Sequence, residues 1–168
     1  MASHHHPIEQ TVERMPDGVR RLAAQLLTPI SASRIWSVLT DYDQLSVFIP
    51  NLASSRLLSR NGNKVNLQQE GCQQFLGMKF SASVELELEE FCADDTLRFR
   101  MMKGDFRRFE GMWRLRTMPE GTALFYELTV QGCLGMPIGL IEQRLREDLT
   151  TNLKAVEAEA RRRATLDS

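Results

Sequence analysis

Hydrophobic and polar residues alternate with a period of two over about eighty residues in the middle of the chain, a pattern typical of antiparallel strands. The alternation is unbroken over residues 80–89, where one face carries Phe80, Ala82, Val84, Leu86 and Leu88 and the other carries serine and glutamate. Since only one face is hydrophobic, the sequence predicts a sheet with one buried face and one face in water.

The next strand repeats this division with arginine in place of glutamate. It has Leu97, Phe99 and Met101 on the buried face and Arg98 and Arg100 on the other. Antiparallel pairing would set these arginines opposite the glutamates, an arrangement that stabilises neighbouring strands. We interpret the outer charges as a solvated convex surface and not as a binding site.

Turn-forming residues divide the alternating region into strands. Asn61-Gly62-Asn63 is a strong hairpin signal between strands over 54–59 and 64–74. The later strands are separated by Leu76-Gly77, Asp94-Asp95, Gly104-Asp105 and Glu120-Gly121. With a further strand over residues 19–28, we expect a curved antiparallel sheet of about six to seven strands.

The period becomes helical on both sides of the alternating region. Ser31 is a candidate N-cap for one short helix, and Asp41 with Gln44 resembles the capping box of a second, which Pro50 ends. After Pro137, apolar residues recur every three or four positions, at Ile138, Ile141, Leu145, Leu149, Leu153, Val156 and Ala160. A helix here would be about 35 Å long. Because its apolar stripe has only the inner face of the sheet to pack against, we predict an α+β fold with this helix over the concave face.

The N-terminal segment differs from the rest of the chain. Residues 1–16 lack periodicity and contain His4, His5 and His6, so we expect a disordered segment or the remnant of an expression tag, and the sequence does not decide whether these histidines are native. Residues 17–168 have a length typical of one domain. No histidine lies beyond the N-terminal segment, which disfavours nucleophile systems that need an imidazole and metal sites with histidine ligands. We expect no metal and no cofactor.

Composition narrows the classes of partner. The formal net charge is −1 and 26% of residues are charged, so no nucleic-acid partner is expected. No apolar stretch reaches the roughly 18 to 20 residues of a membrane span, and the three separated cysteines suit reduced thiols. These features favour a cytoplasmic protein without stable membrane insertion.

The order of elements, with three local segments, resembles the helix-grip fold of the START-like (SRPBCC) superfamily, which also includes the Bet v 1-like proteins. The segments are Trp36-Ser-Val-Leu-Thr-Asp-Tyr-Asp43 leading into Phe48-Ile-Pro-Asn51, Gly104-Asp-Phe-Arg-Arg-Phe-Glu-Gly-Met-Trp113, and Met136-Pro-Ile-Gly-Leu-Ile-Glu-Gln-Arg-Leu145. They are similar to the polyketide cyclase/dehydrase branch, which includes coenzyme-Q-binding proteins. The resemblance implies a cavity between the sheet and the terminal helix that holds a lipid, quinone, polyketide or other apolar ligand. It assigns no catalytic residue.

Strand parity and the helical stripe supply candidates for the cavity wall. These are Gln69, Val84, Phe99, Met101, Arg107, Phe109, Trp113, Tyr126, Leu128, Ile141 and Leu145. An alternative interpretation is that the apolar members fill a solid core. Among the polar members, Tyr126 could donate a hydrogen bond or a proton to a ligand, and Gln69 could bind a ligand oxygen. Arg107 shares the inward parity of Phe109 at the start of its strand and could bind an anionic head group at the cavity mouth, and the alternative is an exposed arginine at the rim.

The two short helices are candidates for a gate at one end of the cavity. Trp36 and the run Val47, Phe48 and Ile49 lie there, and core packing is the alternative for each. If Phe48 and Ile49 are exposed, they could make a transient membrane contact during ligand exchange.

Three functions are therefore open. The first is binding or carriage of a hydrophobic small molecule. The second is a cyclase, aromatase or dehydratase in which Tyr126, Gln69 or Arg107 acts on a polyketide-like chain. The third is a protein-interaction module, which a solid core without a cavity would favour.

Overall fold

The computed structural model describes residues 8–75 and 78–167, with the side chains of all of these except 73–75 and 78–80. The strands in this part of the chain are β1 (Glu9–Arg14), β2 (Arg20–Thr28), β3 (Leu52–Asn61), β4 (Lys64–Phe75), β5 (Met78–Phe91), β6 (Thr96–Gly104), β7 (Phe106–Met118) and β8 (Gly121–Gly132). They form one antiparallel sheet in the spatial order β1-β2-β8-β7-β6-β5-β4-β3. The chain runs back and forth from β3 to β8, and β2 pairs with β8 to continue the sheet.

Three α-helices complete the described fold. They are α1 (Ala32–Leu39), α2 (Leu45–Phe48) and α3 (Ile138–Leu166), with a 3-10 turn over Tyr42–Gln44 between the first two. The 29 residues of α3 give it a length of about 43 Å. This helix packs against β2, β8 and the two short helices. The expected helix-grip arrangement is confirmed. None of the described helices combines the length and apolar content needed to cross a bilayer.

The division of the sheet into a buried and a wet face is also confirmed. Val84, Leu86 and Leu88 of β5 are buried on the inner face. On the outer face Glu87 is paired in register with Arg100, and their side chains form an ion pair of 3.2 Å. The predicted opposition of glutamates and arginines therefore occurs between β5 and β6.

The first hairpin of the meander forms where the sequence predicts it. Gly62 has a φ of 63°, a conformation that glycine adopts without the steric cost of a side chain. The strands on either side pair from Asn61 with Lys64 onward. The expected turn at Leu76-Gly77 and the histidines at 4–6 lie outside the described residues.

Within residues 1–16, where we expected a disordered segment or a tag remnant, the structure describes the strand β1, which adds an eighth strand to the expected six or seven. Its residues pair with β2, with Val12 opposite Leu22. Ile8 and Val12 pack against the core. The segment has too few apolar residues to show a period of its own. Its strand conformation depends on pairing with β2, which the local sequence pattern does not indicate.

The expected N-terminal caps differ from the structure. Ser31 precedes α1, but its side chain makes no capping hydrogen bond, and its Oγ lies 3.3 Å from Oγ of Ser33. Asp41 also makes no side-chain cap, so the capping box with Gln44 was wrong. The Asp41 carboxylate instead accepts a hydrogen bond of 2.8 Å from Arg163 of α3. An ion pair with a remote helix thus replaces the local cap.

Ion pairs hold both ends of α3. At its start, the buried Glu142 accepts hydrogen bonds of 3.0 Å from Arg14 and 2.8 Å from Arg20. The hydrogen bond from Arg14, aided by that from Arg20, lowers the pKa of the Glu142 carboxyl against the opposing effect of burial. Near its end, Arg163 binds Asp41. Between these points the apolar stripe of the helix enters the core at Leu149, Leu153, Val156 and Ala160.

Candidate functional site

A cavity of about 180 Å³ lies between the concave face of the sheet and the helices. Its apolar wall comes from the sheet and the short-helix region, namely Leu39, Leu45, Ile49, Leu52, Leu67, Leu86, Leu88, Leu97, Phe99, Phe109 and Trp113. Its polar lining residues are Asn51, Gln69, Tyr126, Asp148 and Asn152. A mostly apolar wall with a few convergent polar groups is typical of a site for a small organic molecule.

Aromatic rings on three neighbouring strands form one side of the cavity. Trp113 and Tyr126 are paired in register on β7 and β8, and their rings stack with centroids 4.0 Å apart and planes 12° apart. Phe99 of β6 lies 6.2 Å from the Tyr126 ring and 6.0 Å from the ring of Phe109. These contacts pack the rings against one another, with the Phe99 ring tilted by about 40° to its two neighbours, and make this side of the cavity aromatic.

Tyr126 combines this packing with a polar group. Burial, together with the negative charge of Asp148, raises the pKa of its phenol far above the ordinary value. The hydroxyl therefore stays protonated at every physiological pH. It can donate a hydrogen bond to a molecule in the cavity.

Three other polar residues lie close together where α3 and the start of β3 line the cavity. Asn51, just before β3, donates a hydrogen bond of 2.8 Å from Nδ2 to Oδ1 of Asp148. Asn152 lies one helical turn after Asp148, and its Oδ1 is buried without a hydrogen-bond partner in the described part of the chain. A buried acceptor without a partner costs about 1–3 kcal/mol. This amide oxygen is therefore available to a donor on a bound molecule.

Gln69 is held from the sheet side. Its Nε2 donates to Oγ of Ser55 at 3.2 Å, and Ser55 in turn donates to the backbone oxygen of Tyr42 at 2.6 Å. The chain of hydrogen bonds joins β4, β3 and the 3-10 turn between the short helices. Gln69 thus lines the cavity, and the hydrogen bond from its Nε2 fixes the orientation of its side-chain amide.

The structure brings five of the eleven predicted site residues to the cavity wall. These are Gln69, Phe99, Phe109, Trp113 and Tyr126. Of the others, Val84 and Leu128 are buried in the core, and Met101 and Leu145 are partly buried against it. Ile141 lies near Gly132, where the last strand leads towards α3. Their predicted part in ligand binding stays a prediction, but none of these residues lines this cavity.

Arg107 is exposed on the surface, which agrees with the alternative interpretation of this residue, whereas its inferred inward parity with Phe109 was wrong. The register of β7 against β8 shifts between Phe106 and Arg108, so Arg107 is the extra residue of a bulge and is exposed. Phe106 takes the inward place, with its ring 5.2 Å from that of Phe109. Simple alternation cannot locate such a bulge.

The short helices close one end of the cavity. Ile49 lines it, and Phe48 packs against the core with Arg163 6.0 Å above its ring. Trp36 is also partly buried against the core. Of the run that was considered for membrane contact, only Val47 is largely exposed, at 76%. The condition for that contact, exposure of Phe48 and Ile49, is not met in this conformation.

Sequence reasoning missed the polar cluster of Asn51, Asp148 and Asn152. The signal available was the spacing of Asp148 and Asn152, four residues apart and each directly before a leucine of the apolar stripe. Residues four apart share a helix face, so these two polar side chains border the buried stripe. Nothing in the pattern indicates that Asn51 would meet them, because that contact joins the start of β3 to α3.

A wider depression of about 390 Å³ lies elsewhere, lined by Phe91, Asp94, Thr96, Arg98 and Arg114. Three of these residues are exposed charged side chains, and Arg98 lies 5.9 Å above the ring of Phe91. We interpret this depression as part of the solvated surface. The smaller cavity between sheet and helices is the candidate site.

Comparison with known proteins agrees with this geometry. No curated protein sequence matches the chain significantly. The STAR-related lipid transfer protein from Xanthomonas axonopodis is 18% identical, with a TM-score of 0.81 and 96% of each chain covered. The Zhui aromatase/cyclase from Streptomyces sp. R1128 is 17% identical, with a TM-score of 0.76 over 87% of this chain and 96% of that one. Human STARD10 is 10% identical, with a TM-score of 0.74 over 95% of this chain and 71% of that one.

At these identities the structural similarity establishes the fold alone. A family model described as polyketide cyclase / dehydrase and lipid transport matches residues 28–157, well over half of the sequence. The chain therefore belongs to the polyketide cyclase / dehydrase and lipid transport family.

Proposed function

We propose that this protein binds and carries a hydrophobic small molecule in the cavity between the sheet and α3. The observation that carries the proposal is the cavity itself, with its mostly apolar wall and its five polar lining residues. The family, whose description includes lipid transport, supports the same conclusion.

The size of the cavity limits what it can hold in this conformation. A cavity of about 150 Å³ lined by apolar side chains binds benzene, and pockets for drug-sized molecules begin at about 300 Å³. At about 180 Å³, this cavity fits a compact ring compound or a short stretch of a longer molecule. A larger lipid would require the short helices or α3 to move outwards.

The test is extraction of the purified protein with organic solvent and identification of the released compounds by mass spectrometry. Leu97 lines the cavity and is 2% exposed, so Leu97→Trp places an indole in the space. Leu58→Trp is the matched control, since Leu58 is 41% exposed and does not line the cavity. Thermal unfolding of both variants shows whether each remains folded.

Carriage predicts a stoichiometric apolar compound in extracts of the wild-type protein and the Leu58→Trp variant. A folded Leu97→Trp variant should lose it, because overfilled space excludes the ligand. The same compound retained in full by folded Leu97→Trp would contradict binding in this cavity. A clean extract together with no binding of small aromatic probes would contradict the proposal as a whole.

A second candidate function is catalysis of enolisation in a cyclase or dehydratase. The observation that favours it is that the protonated phenol of Tyr126 and the carboxylate of Asp148 line the same cavity. Asp148 would remove a proton from the carbon next to a ligand carbonyl, and Tyr126 would donate its proton to the carbonyl oxygen. Gln69 would orient the ligand, whereas Arg107 lies outside the cavity.

Exchange of deuterium into a 1,3-diketone, followed by NMR, distinguishes the two candidates. An enzyme should accelerate the exchange, and Tyr126→Phe and Asp148→Asn should each abolish the acceleration. A carrier should bind the diketone without changing its exchange rate. The third function considered from the sequence, a protein-interaction module, would be favoured by a solid core, and the described cavity gives it no support.

A further inference from the structure

The loop between β8 and α3 presents apolar side chains to water. No charged residue lies between Glu127 and Glu142 in the sequence. Within this stretch Leu134 is fully exposed, and Leu140, in the first turn of α3, is 44% exposed. Contact of these two leucines with an apolar surface would lower the free energy, because it removes their side chains from water. Residues 133–140, which we call the apolar loop, are therefore a candidate contact surface.

The hairpin between β6 and β7 lies beside the apolar loop. The first residue of β7 is paired with the last residue of β8, and Sγ of Cys133 donates a hydrogen bond of 3.1 Å to the backbone oxygen of Asp105. Lys103 and Arg107, each two residues from Asp105, are both exposed. Two basic side chains thus lie at the same end of the sheet as the exposed leucines.

These two basic residues carry charge that no ion pair in the described part of the chain neutralises. Neither Lys103 nor Arg107 takes part in an ion pair there, whereas the neighbouring Arg108 is paired with Glu110. The acidic residue between them, Asp105, accepts a hydrogen bond of 2.7 Å from a backbone N–H of β5, so its carboxylate is turned towards that strand. The surface beside the apolar loop therefore attracts anions, although the whole chain has a net charge of −1.

Exposed leucines next to basic residues match the surface of a bilayer that contains anionic lipids. Apolar side chains of a peripheral protein enter the boundary between the head groups and the acyl chains, and lysine and arginine are attracted by the negative surface potential. A protein partner would need a complementary pocket for the fully exposed Leu134, whereas a bilayer deforms to accept a loop. The combination of the apolar loop and the unpaired cations therefore favours a membrane over a protein partner.

We propose that the apolar loop, together with Lys103 and Arg107, docks this protein on membranes that contain anionic lipids. Leu134 and Leu140 enter the apolar boundary, and the two basic side chains bind lipid phosphate groups. The bulge that exposes Arg107 thus contributes to docking instead of to the cavity wall. This inference goes beyond the proposed function, since a small molecule can bind in the cavity whether or not the protein docks on a membrane.

Sedimentation with sucrose-loaded vesicles tests the inference. The vesicles consist of phosphatidylcholine alone or of equal parts of phosphatidylcholine and the anionic phosphatidylglycerol. We expect the wild-type protein to bind the mixed vesicles at least about tenfold more tightly, because each basic residue near an anionic surface strengthens binding about fivefold. Arg107→Gln and Lys103→Gln should each weaken binding to the mixed vesicles by about fivefold. Leu134→Ser should weaken it by about tenfold, since serine has no apolar side chain to bury.

Two variants outside this surface are matched controls. Leu58→Ser makes the same change at a leucine that is 41% exposed on β3, the strand at one edge of the sheet. Arg116→Gln removes an exposed arginine near the other end of β7. Both variants should bind the mixed vesicles as the wild-type protein does. Circular dichroism should show that every variant is folded, because each substituted residue is exposed.

The outcomes decide the inference without involving the cavity. Failure of the wild-type protein to bind the mixed vesicles overturns it. So does binding that Leu134→Ser leaves unchanged, or a loss of binding in the controls equal to that in the loop and hairpin variants. Extraction of the cavity ligand reports separately on the proposed function, so a protein that retains its ligand but does not bind vesicles contradicts only the docking.

Discussion

Gly111 of β7 is the position where the smallest change should have a large effect on this fold. A Cβ atom at Gly111 would overlap the backbone oxygen of Glu127 on β8 and would lie 2.8 Å from Cζ of Phe99 on β6. The Phe99 ring can turn, but the Glu127 oxygen belongs to a paired strand that cannot move without loss of its hydrogen bonds. Gly111→Ala therefore has to shift β7 against β8.

The magnitude follows from the cost of overpacking, which is typically about 1–3 kcal/mol for side chains that can adjust. Because the obstacle here is backbone, we expect the upper end, about 3 kcal/mol. For a chain of this length, each kcal/mol lowers the melting temperature by about 2–4 °C. The variant should then unfold roughly 6–12 °C below the wild-type protein.

Circular dichroism during heating measures this difference, with Gly139→Ala as the matched control. Gly139 lies in the first turn of α3, and a Cβ there meets no atom within 4 Å. Alanine favours a helix over glycine by up to about 1 kcal/mol, so the control should be neutral or slightly stabilised. A Gly111→Ala variant that melts within about 2 °C of the wild type would refute the reasoning, since the overlap with the Glu127 oxygen would then cost too little to displace β7.

Three further predictions concern the ion pairs and the core. Glu142→Gln should destabilise the protein by roughly 1–2 kcal/mol at pH 7, because the hydrogen bonds from Arg14 and Arg20 lose their charged partner. The folded-state pKa of Glu142 is lowered, so its stabilising effect is complete above the unfolded-state pKa and disappears as the pH falls through the lower folded value. Melting curves of variant and wild type should thus converge as the pH falls below about 4.5, and a constant difference would contradict the ion pair. Leu153→Ala should cost about 2–5 kcal/mol in denaturant unfolding, because Leu153 is fully buried where α3 meets the core. Tyr42→Phe should cost about 1 kcal/mol in the same assay, since Tyr42 donates a hydrogen bond to Glu90, and no loss would show that this contact is dispensable.

Most of the sheet could be predicted because its chemistry is local. The alternation of β5 requires only that successive side chains point to opposite faces, and Gly62 requires only its own backbone conformation. The apolar stripe of α3 likewise follows from the spacing of its leucines, although the helix of 29 residues is longer than the stripe indicated. Each of these features is set by residues close together in the chain, so the sequence pattern contains the information.

The parts that escaped prediction depend on distant residues. β1 is ordered by pairing with β2, and the carboxylate of Asp41 binds Arg163 instead of capping a helix. The bulge that exposes Arg107 depends on how β7 meets β8. Patterns within one strand or helix do not encode these relations.

The candidate site could be predicted only in part, because some of its features follow from local patterns and others depend on contacts between distant residues. Strand parity found the aromatic wall at Phe99, Phe109, Trp113 and Tyr126. It could not find which part of α3 faces the cavity, because the apolar stripe is continuous and the position of the cavity along it depends on tertiary packing. Ile141 and Leu145 were expected there, whereas Asp148 and Asn152 one to two turns later line the space.

The stacked pair of Trp113 and Tyr126 also gives the protein a built-in optical reporter. The chain has two tryptophans, and Trp36 lies away from the cavity lining, so Trp36→Phe leaves a single indole in the cavity wall. Indole emission shifts to shorter wavelengths as its surroundings lose water, and an aromatic ligand in contact with the ring quenches it. Occupancy of the cavity can therefore be followed in solution without a label, at protein concentrations far below those that calorimetry requires.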